Sequence, residues 1–117
     1  MPLAAQIRTE ITELETLRRE LGPHNEQFVV LLNEQAYAIS FVSRRPTSAK
    51  AVSLPEATRL LEVDAQMVAR ALASQAGKPF RAVALLAALQ AELTRRQSRL
   101  RQLEDAISVI QWLPKKP

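Results

Sequence analysis

The chain has 117 residues, a net charge of +4, two glycines and no cysteine. That length supports a single domain over 1–117 whose core needs no metal or disulfide, and the missing Cys excludes disulfides, thiol nucleophiles and Cys-ligated zinc together. No run is apolar enough to span a membrane, and Met1-Pro2-Leu3-Ala4-Ala5 gives way to charged residues without a signal-peptide pattern, so a cytoplasmic protein with no membrane partner is expected.

Charge is unevenly spread. Residues 1–43 carry a net −3, residues 44–101 a net +7, and the remainder balances. A basic middle behind an acidic N-terminus suits a polyanion-binding surface on one side of the molecule, although an excess of this size also arises from ordinary solvation.

In chain order, residues 3–21 read as an N-terminal helix. Leu3, Ile7, Leu14, Leu17 and Leu21 form its apolar stripe with Ile11 beside it, and Gly22-Pro23 stops it. His24 stands alone in the following loop and is given no role. Residues 27–42 read as a small β-hairpin: Phe28 to Leu32 is a continuous apolar run, and Tyr37, Ile39 and Phe41 alternate with smaller residues. Asn33-Glu34-Gln35 forms the connection, where Asn33 tolerates a left-handed backbone. A helix burying Phe28, Leu31, Leu32, Ile39 and Val42 is the alternative. Residues 43–53 read as a basic linker, its Arg44, Arg45 and Lys50 suited to following a phosphate backbone or simply solvated.

Ser53-Leu54-Pro55-Glu56 is a helix start, with Ser53 and Glu56 placed for a capping box, and Gly77-Lys78-Pro79 is a stop. Between them, over 54–77, the chain offers either one unbroken helix or two short helices joined at Glu62-Val63. In the two-helix reading Ala57, Leu61, Val63, Val68 and Leu72 are buried, Asp64 caps the second helix, and Gln66, Ala69, Arg70 and Ala73 face outward. Residues 80–113 read as one long helix without Gly or Pro, about 50 Å at the usual rise. Leu86, Leu89, Leu93, Leu100, Leu103, Ile107 and Ile110 keep heptad spacing, and only Arg96 breaks the seam. Such a seam serves either a compact bundle core or coiled-coil dimerisation through those eight residues, with Arg96 fixing register. Trp112 reads as an anchor for the helix end. The fold class expected is therefore mainly α, with the small hairpin as its minor β component.

The stretch from Glu56-Ala57 through Leu60-Leu61, Val63 and Asp64 to Val68 and Leu72 resembles the helix-turn-helix of excisionase-type and MerR-type DNA-binding proteins, over about 25 residues. It departs from that pattern at Glu62, where glycine is common, and no basic wing follows. The resemblance implies a homodimeric binder of double-stranded DNA, a bacterial-type transcriptional regulator or mobile-element accessory factor paired through its long helix. Gln66 and Arg70 would then read bases, and Arg59, Arg44, Arg45, Lys50 and Lys78 would hold the backbone. The alternative from another class is a helical interaction module, an adaptor, assembly factor or structural subunit that pairs with another helical protein. Neither a cofactor nor an enzymatic activity is expected: there is no Gly-rich phosphate loop, and no Ser-His-Asp arrangement can be built around a single histidine.

Overall fold

The computed structural model describes residues 3–112, with side chains through residue 108. Its elements are α1 (Leu3–Leu21), β1 (Phe28–Leu32), β2 (Gln35–Val42), β3 (Arg45–Val52), a 3₁₀ turn (Leu54–Glu56), α2 (Glu62–Ala76), β4 (Phe80–Ala84) and α3 (Leu85–Trp112). The fold is α+β, built on a four-stranded antiparallel sheet of order β3-β2-β1-β4, and not mainly α with a minor hairpin.

Three segments overturn the expected architecture. The linker of 43–53 is mostly strand β3, which pairs with β2 along its whole length from Val42↔Arg45 to Ala36↔Val52. The expected long helix of 80–113 surrenders its first five residues to β4, which pairs with β1 from Phe28↔Ala84 to Leu32↔Phe80. The helix pair of 54–77 has no first helix. After a three-residue 3₁₀ turn the chain runs extended, and Ser53 makes no side-chain cap bond.

β1 and β2 account for the expected hairpin, with Asn33 in the left-handed region (φ 57°) at their turn. They pair only beside that turn, at Leu31↔Ala36 and Leu32↔Gln35, and then splay apart. The extended segment 58–60 fills the wedge. The Thr58 amide donates to the Tyr37 carbonyl (3.2 Å), its hydroxyl accepts from the Ile39 amide (2.8 Å), and Phe28 and Leu60 exchange both backbone hydrogen bonds (2.7 and 2.8 Å). Strand groups that would otherwise be left unpaired are thus satisfied from a third piece of chain.

The continuous apolar run of β1 follows from burial on both faces. On one face Val29, Leu31 and Ala36 pack with Ala57, Leu85 and Ala88. On the other, Val30 and Ile39 meet Val68, Ala69 and Leu72 of α2, with Tyr37 and Phe80 edge-to-face beside them at a ring-centroid distance of 5.3 Å. α2 ends at Gly77, whose left-handed backbone (φ 65°) lets its amide donate to Ala73 (2.9 Å).

α1 and α3 lie antiparallel. The salt bridge Arg8–Glu104 (2.7 Å) stands toward one end and the hydrogen bond Arg18–Gln90 (3.0 Å) toward the other. Ile7, Ile11, Leu14 and Leu17 of α1 bury against Leu89 and Leu93 of α3, with Leu100 and Leu103 partly buried alongside. This two-helix arm runs out from the sheet and gives the molecule extents of 70 × 33 × 20 Å.

Candidate interaction surface

From Leu89 to Leu103 the heptad seam of α3 packs against α1 of the same chain. Leu89 and Leu93 are 0% and 1% exposed beneath α1. Arg96, which breaks the seam, pairs with Glu10 of α1 and with Glu92 one turn back (2.9 Å), while Arg95 pairs with Glu92 and Glu34 (3.3 Å). Burial first, and then the neighbouring Arg99, pulls the Arg96 guanidinium below its ordinary pKa. The register device expected of Arg96 therefore operates between α1 and α3 of one chain. Leu86 is half-buried at the foot of the arm and Ile107 is 46% exposed; the side chains of Ile110 and Trp112, together with Leu113, lie outside the described residues. A cleft of about 540 Å³ lies beside this ionic cluster, lined by Glu10, Glu34, Glu92, Arg95 and Arg96 together with apolar residues such as Leu14, Leu31, Val52 and Leu54, and both arginines are committed to carboxylates of the chain.

The residues singled out for DNA binding are dispersed. Arg44 sits at the tip of the β2–β3 hairpin, Arg45 opens β3, and Lys50 lies on β3 opposite Ala38. Arg59 is exposed on the inserted segment, and Lys78 lies beyond the C-terminal end of α2, about 20 Å along that helix from Asp64 at the usual rise. Gln66 and Arg70 are both exposed on α2, one turn apart. Glu62 and Asp64 occupy the first turn of the same helix, and the Gln66 amide points back to Glu62 (3.5 Å). Asp64 is not the cap expected of it: α2 begins two residues earlier, behind Leu61, which holds the N-cap position without a side-chain bond.

That early start changes the face on which each residue of α2 falls. Ala65, Val68, Ala69 and Leu72 are buried against the sheet. Val63, Met67 and Arg70, spaced four and three apart, lie on the opposite side. Leu61 and Val63, expected in the core of a helix pair, are instead 70% and 67% exposed, and Ala69, expected to face outward, is buried. Met67 is 62% exposed, and Phe41 and Val42 at the end of β2 are 39% and 63% exposed. Among the described residues, the large hydrophobics most open to solvent are these five together with Leu3 and Ile107. Five of seven therefore belong to the hairpin tip, the N-cap of α2 and the N-terminal half of that helix.

Between them runs a groove of about 740 Å³. Phe41, Arg44, Arg45 and Pro46 form its hairpin wall, Asp64, Met67, Val68 and Ala71 its helix wall, and Leu60 contributes from the inserted segment. The hairpin wall is held by an unusual turn. Ser43 and Arg44 both have positive φ (51° and 65°), the backbone of a two-residue hairpin loop that normally takes Asn and Gly. Non-glycine residues in that region cost roughly 1–2 kcal/mol each, so the tip is maintained against a local preference. A register shift at Ser40/Phe41 turns the strand just before it.

Sequence reasoning singled out Arg44 and Arg45 of this surface and missed its apolar part. The available signal was the pair Val63 and Met67, four residues apart and out of phase with Ala65, Val68 and Leu72 once the helix is started at Glu62. Among the described residues no helix is long and apolar enough to cross a membrane, and no group of three His, Cys, Asp or Glu stands together as a metal site. Compared with protein-family models, with characterised proteins and with solved structures, the chain matches none.

Proposed function

We propose that this chain is a non-catalytic protein-interaction module that binds through the face made by the β2–β3 hairpin tip and the N-terminal half of α2. The observation that carries this reading is the groove lined by the exposed Phe41 and Met67, with Val42, Leu61 and Val63 also exposed on the two segments that bound it. Exposed apolar side chains scattered singly mean little, whereas a contiguous set rimmed by charge marks a contact surface. The heptad seam carries less of the interaction, since α1 already covers Leu89 and Leu93. A photo-crosslinking amino acid placed at Val63 in cells that make the protein should give a discrete protein adduct. The same group at the exposed Glu20 on α1 should give none. Absence of an adduct at Val63, or equal labelling at both positions, would contradict the reading.

Binding of double-stranded DNA is the second reading, favoured by the shared exposure of Gln66 and Arg70 on α2. Against it stand the carboxylates of Glu62 and Asp64 at the helix end that would approach phosphate. The discriminating measurement is duplex binding across a salt series. Tight binding at physiological salt that is lost in an Arg70→Ala and Gln66→Ala double variant supports DNA; weak binding, insensitive to those substitutions, rejects it.

A further inference from the structure

The groove carries charge of both signs, and the signs are separated. Arg44 and Arg45 stand on the hairpin wall and Asp64 on the helix wall, while Glu62, two residues before Asp64 on α2, lies on another side of that helix. Among the described residues none of these three groove residues has an ion-pair partner, whereas Arg8, Arg95 and Arg96 on the helical arm all do. An acidic peptide laid in the groove would satisfy the two arginines and leave the Asp64 carboxylate facing like charge. A basic peptide would do the reverse. A surface that is positive on one side of an apolar centre and negative on the other is complementary to itself under a two-fold rotation, the arrangement most soluble dimers adopt.

We infer that the occupant of this face is a second copy of the chain, docked isologously. In that dimer Arg44 and Arg45 of each copy meet Asp64 of the other, and Phe41 and Met67 of both close over the axis. The inference rests on the reading of this face as a protein-binding surface and adds the identity of the partner. It also separates the arm from association: α1 and α3 pair within each copy, and the foot of α3 packs on the opposite face of the sheet from α2.

The charges supply a test that an apolar substitution alone cannot. One variant carries Arg44→Glu and Arg45→Glu; another carries Asp64→Lys. All three positions are exposed, and circular dichroism checks that both variants fold. Each variant alone places like charges across the two-fold contact and should sediment as a monomer over a concentration range in which the wild type is dimeric. Mixed one to one, they restore opposite charges at both ends and should form a heterodimer with at least tenfold tighter association than either variant with itself. Met67→Asp in the wild-type background should also abolish the dimer. The inference is overturned if the wild type stays monomeric to about 1 mM, or if it dimerises and the charge variants alone do so equally well. A monomeric wild type that still gives a crosslinked adduct to a different protein at Val63 removes the second copy and leaves the interaction face standing. A monomer with no adduct removes both.

Discussion

Leu93 lies at the centre of the α1–α3 contact, 1% exposed among Ile7, Ile11, Leu14, Leu17 and Leu89, and Leu93→Ala measures whether that contact is made within one chain. The substitution deletes three carbons, worth about 2.4 kcal/mol in lost transfer energy at roughly 0.8 kcal/mol per carbon. A cavity term is added, since surrounding side chains collapse only partly into the space. The arm is two helices thick and open on its flanks, so relaxation is easier than in a closed core. The expected loss is therefore about 2.5–3.5 kcal/mol, in the lower part of the range for buried Leu→Ala changes. With a urea dependence of about 1–2 kcal/mol per molar, the unfolding midpoint should fall by roughly 2 M. The assay is equilibrium urea unfolding followed by circular dichroism at two protein concentrations tenfold apart. Because the partner helix is α1 of the same chain, the difference between variant and wild type should be the same at both concentrations. A loss below about 1 kcal/mol, or a difference that changes with concentration, would refute intramolecular pairing of the seam.

Other substitutions probe separate parts of the account. Arg96→Ala leaves the partly buried carboxylates of Glu10 and Glu92 without their shared cation and should cost about 1–2 kcal/mol. Arg8→Ala removes only the exposed pair with Glu104 and should cost no more than about 0.5 kcal/mol, both read by urea unfolding. Thr58→Val removes the hydroxyl that accepts from the Ile39 amide; the unfolding free energy should drop by about 1–2 kcal/mol, and amide exchange at Ile39 should accelerate. Gly77→Ala puts a side chain at φ 65° with no neighbour to clash with, so its cost of about 1–2 kcal/mol is purely conformational and should appear as a lower thermal midpoint. Replacing Ser43-Arg44 by Asn-Gly relieves the hairpin strain and should raise that midpoint, by up to about 1–2 kcal/mol of stability.

How far the fold could be read from the sequence depended on whether a segment's burial is periodic on its own. Ile7, Ile11, Leu14 and Leu17 recur at helical spacing, and they are the buried face of α1. The alternation of Tyr37 and Ile39 and the left-handed Asn33 are visible for the same local reason. β3 gives no such signal. As an edge strand it tolerates Pro46, and its half-buried positions Pro46, Ala49 and Val52 fall three apart among Ser, Thr and Lys, a pattern that resembles a loop. β4 is hidden differently: Phe80-Arg81-Ala82-Val83-Ala84 is rich in a strong helix former and runs straight into Leu85, so only the pairing partner β1 reveals it as strand. The same holds for Thr58–Leu60, whose extended path exists because β1 and β2 splay apart.

The candidate surface was obscured by one boundary. Placing a turn at Glu62-Val63 assigns Leu61 and Val63 to the core, whereas starting α2 at Glu62 turns Val63 and Met67 to solvent and buries Ala69. Heptad spacing on α3 was legible, but such a pattern specifies only that another helix lies against the seam. That α1 supplies it follows from the antiparallel register fixed by the Arg8–Glu104, Arg96–Glu10 and Arg18–Gln90 contacts.

In a dimer joined through the hairpin tip and α2, the helical arm is free of intermolecular contact. Backbone amide chemical shifts recorded over a dilution series test that arrangement residue by residue. Concentration-dependent shifts should be confined to residues 41–46 and 61–71, with 89–107 of α3 unmoved. Shifts concentrated along α3, or an unchanged spectrum across the whole series, would contradict it.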